Sequence, residues 1–312
     1  MGYGLNLHHL EVFHAVAISG SLTAAAHSLG TSQPAITKQL RLLEETLGTV
    51  LLDRLPRGVR LTAAGELLER HARALFTQRD RALAELAELK GLRRGRLELA
   101  ASLTVGSYLL PGILARFHGL YPDVAVRVSV GNTRVGLERV RDGEVDAALV
   151  EGPVELDGVE AKEFARDELV VAAPAGHPLS RRRGPVPLRR ILSEPLVERE
   201  EGSGTREILE RELSRLGADW KPSLVVGGTE AIKGLVAAGM GFAVLSRLAV
   251  AAECRSGQLA VLRVPELSLG RALSVAQPAG RTPSLALGEF LPLLSIPFSD
   301  SGKVTIRDRE SW

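Results

Sequence analysis

The sequence predicts three parts in series: an N-terminal all-α winged helix-turn-helix head, a long linker helix, and a C-terminal α/β domain of two lobes. Three observations carry this. Apolar residues recur at helical spacing around a tight glycine-containing turn near Gly30. A proline-free stretch from Thr62 to Leu89 repeats apolar residues every seven positions. From Leu97 onward, strand-like runs alternate with helical stretches. The 312 residues amount to about two domains of ordinary size. The expected divisions are a head over 5–62, a linker and dimerisation helix over 63–92, an α/β domain over 95–298 and a polar, loose tail over 299–312. Lobe I is expected over about 95–167 and 268–298, and lobe II over about 168–267.

In the head, Leu7, Leu10, Phe13 and Ala17 mark one face of a first helix, and Ser19-Gly20-Ser21 interrupts it. Thr23 to Leu29 is a short alanine-rich second helix, closed by the turn Gly30-Thr31-Ser32. Ser32 can cap the next helix, and Pro34 is tolerated in a first turn, where its missing N–H would have no partner. Ile36, Leu40, Leu43 and Leu47 then keep helical spacing. Two helices joined by such a turn form a helix-turn-helix, here spanning Leu22 to Arg41. The segment from Arg54 to Thr62 has the composition of a hairpin wing.

Thr62 is a plausible N-cap for the long helix and Gly91 a plausible stop. Leu68, Leu75, Ala82 and Leu89 share one heptad column, with Ala72 and Leu86 beside it and Arg79 interrupting. This spacing points to a dimer seam; the alternative is an amphipathic helix packed on its own chain. In the α/β domain, strands are expected at Val124–Val130, Val145–Val150, Leu169–Ala173, Leu224–Val226, Phe242–Leu245 and Ala272–Ala276. Helices are expected near Leu109–Leu120, Thr133–Asp142, Thr205–Leu216, Glu230–Ala238 and Ser284–Leu294. Such alternation implies a mainly parallel sheet with right-handed crossovers.

Composition narrows the function classes. With 39 basic and 37 acidic residues, the chain is not a polybasic nucleic-acid coat, so any grip on DNA must be local. Residues 1–37 hold no Lys or Arg; Lys38, Arg41, Arg54, Arg57 and Arg60 then face only Glu44, Glu45 and Asp53. That modest basic span suits phosphate contacts. Aromatic residues are only 4%, which argues against a cleft for ring-shaped ligands. The single Cys254 forms no internal disulfide, builds no Cys-based metal site, and reads as a buried inert thiol of a reducing compartment. The chain opens without a basic region followed by an apolar run, and no window nears about 18 uninterrupted apolar residues. A cytoplasmic, nucleoid-associated protein with no membrane partner is expected.

Two constellations carry chemistry. On the second helix of the helix-turn-helix, Ser32, Gln33, Pro34, Ala35, Thr37, Lys38 and Arg41 present side chains that reach base edges and phosphates in a major groove, with Arg54, Arg57 and Arg60 on the wing. The partner is double-stranded promoter DNA. In the α/β domain, three segments place hydroxyls at strand-to-helix junctions, where ligands of open α/β sheets bind. They are Ser102-Leu103-Thr104-Val105-Gly106, Gly202-Ser203-Gly204-Thr205-Arg206 and Gly227-Gly228-Thr229-Glu230. Each offers backbone N–H groups and a hydroxyl to an oxyanion, although an N-cap needs the same residue types. The seven histidines show no ligand spacing, and neither a nucleophile elbow nor a phosphate loop is present. No enzyme activity, metal or cofactor is expected.

The strings Ser21-Leu22-Thr23-Ala24-Ala25-Ala26-His27-Ser28-Leu29 and Ser32-Gln33-Pro34-Ala35-Ile36-Thr37-Lys38-Gln39-Leu40 resemble the DNA-binding head of the LysR-type transcriptional regulators. So do Leu43-Glu44-Glu45, Leu51-Leu52-Asp53-Arg54 and Leu61-Thr62-Ala63-Ala64-Gly65, and the resemblance covers the whole chain. It implies a sequence-specific DNA-binding regulator, a homotetramer built from two homodimers. Its C-terminal domain would have the two-lobed fold of type II periplasmic binding proteins and sense a small molecule, and RNA polymerase would be a further partner. The resemblance matches Ser102, Thr104 and Ser203 to effector contacts, with Gly204, Thr205 and Thr229 beside them. It also exposes two departures: Glu151 stands where some relatives carry a hydroxyl residue, and Val105 where some carry a polar amide. The Glu151-Gly152-Pro153 and Arg199-to-Arg206 strings look most like the branch regulating carbon fixation and sulfur assimilation, so the effector implied is a small anionic metabolite. The alternatives are a ligand-independent repressor or architectural protein and, more remotely, a solute-binding module.

Overall fold

The computed structural model describes residues 4–55, 58–89, 95–295 and 305–306. The chain divides into two compact units, Met1–Ala87 with Asp142–Glu144, and Glu88–Arg141 with Val145–Trp312.

In the first unit α1 (Leu7–Ser19), α2 (Leu22–Ser28) and α3 (Gln33–Leu47) bury Leu10, Phe13, Val16, Ala25, Ile36, Leu40 and Leu43 in one core. The caps follow from local chemistry. Asn6, Ser21 and Ser32 accept from backbone N–H groups at the starts of α1, α2 and α3, satisfying donors that a helix start leaves orphaned. α1 and α3 end on left-handed Gly20 and Gly48. The expected wing is present: β1 (Leu52–Arg54) pairs antiparallel with β2 (Val59–Leu61). Gly58 is required at its tip, because φ is +88° and an added Cβ would lie 2.6 Å from the Gly20 carbonyl oxygen. The carboxylate of Glu44 on α3 accepts from the N–H of Leu51 at 2.8 Å, tying that helix to the wing.

α4 spans Ala63–Leu89. Thr62 caps it, accepting from the Gly65 N–H at 3.0 Å. The heptad column expected to face a partner splits. Leu68 and Ala72 turn into the head's own core, joined there by Phe76, while Leu75 and Ala82 are exposed; Leu83, outside the expected column, is 60% exposed as well. The physical reason is that the head's first three helices leave an apolar face that the first turns of α4 cover. The expectations for Leu86 and Leu89 concern side chains outside those described.

The second unit begins with β3 (Arg96–Ser102), α5 (Leu103–Tyr108), α6 (Leu110–Leu120), β4 (Ala125–Gly131), α7 (Thr133–Arg141) and β5 (Ala147–Glu151). β3 pairs in parallel with β4 and β5. β5 is buried on both faces; Ile113, Phe117 and Phe290 close one side, and Leu137 and Val140 the other. The chain then runs through β6 (Val159–Pro174), α8 (Leu188–Ile191), β7 (Leu196–Arg199), α9 (Gly204–Leu216), β8 (Pro222–Val226), α10 (Thr229–Ala237), β9 (Ala243–Ser246), α11 (Arg247–Arg255) and β10 (Leu259–Leu262). It returns along β11 (Gly270–Pro278) and closes with α12 (Leu285–Phe290), a 3-10 turn (Leu291–Ser295) and β12 (Thr305–Ile306).

The sheet is mixed rather than mainly parallel. β11 runs antiparallel to β5 and β6, and β9 and β10 run antiparallel to β6. The reason is topological. The chain passes between the two lobes on β6 and comes back on β11, and two neighbouring strands running in opposite directions must pair antiparallel. The second lobe has its own cores around Ile191, Leu213 and Phe242, and around Ile232, Val236 and Leu245. Of the tail expected to be loose, Thr305 and Ile306 pair with Arg166 and Ala165 of β6, satisfying backbone groups that an unpaired edge would leave open. No described helix is long and apolar enough to cross a membrane.

Candidate functional site

The second unit gathers a polar cluster where strands end and helices begin. β7 and β8 are parallel with Arg199 opposite Val226. The turn from Glu200 to Ser203 and the turn from Gly227 to Thr229 therefore lie side by side. Two further glycines close the distance to the first lobe. A Cβ on Gly204 would lie 2.0 Å from the Glu151 carbonyl oxygen, so only glycine lets the start of α9 reach the end of β5. Gly152 meets Gly204 from the other side with φ +86°.

Arg271 binds the cluster together. It faces Asp167 across the β11–β6 ladder, with Nη2 at 2.7 Å and Nε at 2.8 Å from the carboxylate. Its remaining N–H groups donate to Thr205 Oγ1 at 2.9 Å and Thr104 Oγ1 at 3.3 Å, and Nη1 lies 3.6 Å from Glu151. One guanidinium thus joins three of the expected residues, from α5, β5 and α9. Ser246 donates to the other oxygen of Asp167 at 3.0 Å. Ser102 hydrogen-bonds to Glu151 Oε2 and Thr104 to Oε1. Burial pushes the Glu151 carboxyl above the usual carboxylate range, against the pull of the Arg271 and Arg199 guanidiniums.

Three buried polar atoms in the same region have no hydrogen-bond partner: Arg199 Nη1, Ser203 Oγ and Thr229 Oγ1. Their residues are only 2%, 1% and 6% exposed. The rest of the Arg199 fork is held by Glu200 at 2.8 Å. Burial works against the Glu200 carboxylate, but these bonds hold it below its ordinary range. Ser203 is therefore not an ordinary cap, since its hydroxyl accepts no backbone N–H of α9. Buried polar groups are otherwise almost always paired, so three orphans together mark a place for an acceptor-rich ligand.

Of the eight residues expected at the cleft, Ser102, Thr104, Glu151, Ser203, Gly204, Thr205 and Thr229 come to this region. Val105 does not belong by its side chain, which is fully buried in the first lobe's apolar core. Its backbone N–H donates to Ser102 Oγ at 3.4 Å. Arg199, Asp167 and Arg271 were not expected. Their signal was a charge placed at the end of an apolar strand run, as in Arg271-Ala272-Leu273, where solvent exposure is improbable.

On the edge of the cleft, Tyr108 of α5 meets Lys233 and Glu230 of α10. Lys233 Nζ lies 3.1 Å from the Tyr108 hydroxyl, 2.9 Å from Glu230 and 2.8 Å from Glu253 of α11. Burial and the Glu230 carboxylate together push the Tyr108 hydroxyl up to about 12.

In the first unit, α3 buries Ile36, Leu40 and Leu43 and turns its other face outward. Ser32, Gln33, Pro34, Lys38 and Arg41 are exposed, and Ala35 and Thr37 are half-buried. Gln33, Pro34, Thr37, Lys38 and Arg41 line one open groove with Leu42 and Glu45. Arg41 is paired with Glu45 at 2.6 Å and Arg60 with Asp53 at 3.1 Å. Arg57 lies outside the described residues, as does the side chain of Arg54.

Comparison with known proteins matches both units. The description "Bacterial regulatory helix-turn-helix protein, lysR family" fits residues 7–66, and "LysR substrate binding domain" fits residues 90–295. The chain is 35% identical to the transcriptional regulator CysL of Bacillus subtilis over 85% of this chain and 88% of that one. It is also 35% identical to the RuBisCO operon transcriptional regulator of Acidithiobacillus ferrooxidans, over 94% of each. Among solved structures, the Synechocystis CcmR regulatory domain in complex with 2-PG superposes with a TM-score of 0.60 at 33% identity, covering 64% of this chain and 95% of that one. The chain belongs to the LysR family of bacterial transcriptional regulators. It is a DNA-binding regulator with a two-lobed, periplasmic-binding-protein-like ligand domain, on the carbon-fixation and sulfur side of the family.

Proposed function

We propose that the effector of this regulator is a small anion held in the cleft of the second unit. The observation that carries this is the group of three unpartnered buried donors, Arg199 Nη1, Ser203 Oγ and Thr229 Oγ1. All three can donate, one carries positive charge, and together they can take the oxygens of one oxyanion. Thr104 and Glu151 close the first-lobe side, and Arg271 links them to Thr205 of the second lobe. The chain works by binding alone and catalyses no reaction, in keeping with relatives named as transcriptional regulators.

In this reading α3 enters a major groove of promoter DNA, with Gln33, Pro34, Ala35, Thr37, Lys38 and Arg41 toward base edges and phosphates. Ser32 holds the helix start, and Arg54, Arg57 and Arg60 of the wing reach the backbone. Two heads pair through the exposed leucines of α4, two dimers make the tetramer, and RNA polymerase receives the output in the cytoplasm. Ligand in the cleft changes the angle between lobes and so the spacing of the heads. The test is a thermal-shift series with small oxyanions on the full chain and on Ser203→Ala. Stabilisation of the parent, lost in the variant while operator affinity stays, supports the reading. Equal stabilisation of both places the ligand elsewhere.

A further inference from the structure

The cleft donors are of the kind any oxyanion would take, but Glu151 is not. It rests on β5 with both carboxyl oxygens turned into the cluster. Every element packed around it supplies a group. Ser102 and Thr104 come from the β3–α5 junction, Arg271 from β11 at 3.6 Å, and Asp167 and Arg199 act on it from β6 and β7. Thr133 of α7 donates to its backbone carbonyl at 3.0 Å, and Gly204 of α9 packs on that same oxygen. The two guanidiniums are already committed, Arg271 to Asp167 and Arg199 to Glu200. An ionised Glu151 would therefore add a negative charge that no partner fully balances.

An ionised carboxylate only accepts hydrogen bonds, and so does a fully deprotonated oxyanion. Glu151 also occupies the Ser102 and Thr104 hydroxyls that would otherwise serve a ligand. Lone pairs would then face lone pairs unless one proton lies between ligand and Glu151. We propose that Glu151 is the specificity-determining residue of the cleft, selecting oxyanions that keep one acidic O–H near neutral pH. Such a ligand keeps its proton and donates a hydrogen bond from that O–H to the Glu151 carboxylate. An oxyanion without that hydrogen enters only when one proton from solvent neutralises Glu151, whose O–H then donates to the ligand; no other bond forms or breaks. Burial already disfavours the charged form of Glu151, which eases that uptake. This rests on the anion reading of the cleft and deepens it.

The probes are inorganic sulfate, which carries no proton at neutral pH, and inorganic phosphate, which keeps one. Both are titrated calorimetrically into the full chain between about pH 6 and pH 9, in two buffers of different ionisation heat. Sulfate affinity is expected to fall roughly tenfold per pH unit over part of this range, with one proton taken up. Phosphate is expected to outbind sulfate by roughly tenfold or more at about pH 8. In Glu151→Gln, whose amide can donate, sulfate binding should lose its pH dependence and its disadvantage. Binding of both ions to the parent with equal affinity and no proton uptake overturns the assignment of Glu151 alone. Binding of neither overturns the anion reading as well. Should Glu151→Gln not fold, the sulfate–phosphate comparison on the parent still decides.

Discussion

Ser203 and Thr229 separate stability from binding. Their hydroxyls are buried without partners, so removing them costs the fold little. Ser203→Ala and Thr229→Val are each expected to change unfolding free energy by less than about 1 kcal/mol, in the stabilising direction, because an unsatisfied buried hydroxyl is itself a penalty. Ligand-induced stabilisation should disappear in both, as measured by thermal melts with and without oxyanion. Gly204 behaves oppositely. A methyl group there meets the Glu151 carbonyl oxygen at 2.0 Å, so Gly204→Ala must push α9 away from β5. The expected cost is about 1–3 kcal/mol, read as a lower melting temperature.

Two contacts fix how elements meet. Glu44 holds α3 against the wing through the Leu51 N–H at 2.8 Å and the Leu52 N–H at 3.4 Å. Glu44→Ala strands both donors and should destabilise the head by about 1–3 kcal/mol in denaturant unfolding. Lys233 joins α5, α10 and α11 through Tyr108, Glu230 and Glu253. Its side chain is 6% exposed, whereas Glu230 is 73% exposed and recovers its water when Lys233 is lost. Lys233→Met should therefore cost about 3 kcal/mol, the lower end for a broken buried pair, and loosen the attachment of α5 to α10. A cleft-specific effect would appear as weaker ligand binding at unchanged operator affinity.

The assembled regulator depends on α4 and α3 together. Leu75 and Leu83 remain exposed on a helix of 27 residues. Leu75→Glu with Leu83→Glu is expected to shift the oligomer toward smaller species in sedimentation and to lower operator affinity with it, because two heads bind DNA more tightly than one. On α3, Lys38→Ala should weaken binding to all sequences alike and reduce the salt slope by about one, whereas Gln33→Ala should relax base preference. Arg41 and Arg60 each carry an acidic partner within the head. DNA must compete with those carboxylates, which keeps the grip of a single head modest and makes pairing matter more.

What the residues alone decided is the local chemistry. The Ser32 cap, Pro34 in the first turn, the wing and the run of α4 all follow from short-range rules of capping, φ preference and apolar period. The hydroxyls at strand-to-helix junctions were legible for the same reason, since Ser102, Ser203 and Thr229 sit in strings that can only be turns or caps. What only the tertiary structure decided is which of them are spent and which are free. Ser102 is engaged by Glu151, Val105 is core, and Ser203 and Thr229 are left unpartnered. The antiparallel return of β11 beside β6 brings Arg271 against Asp167, 104 positions away in the chain. Pairing at that separation leaves no local period in the sequence, because it depends on how the strands cross and not on what precedes or follows each residue. The same holds for the leucines of α4: a heptad reports that a helix has an apolar stripe, but the shape of the head's core decides how much of it remains for a partner.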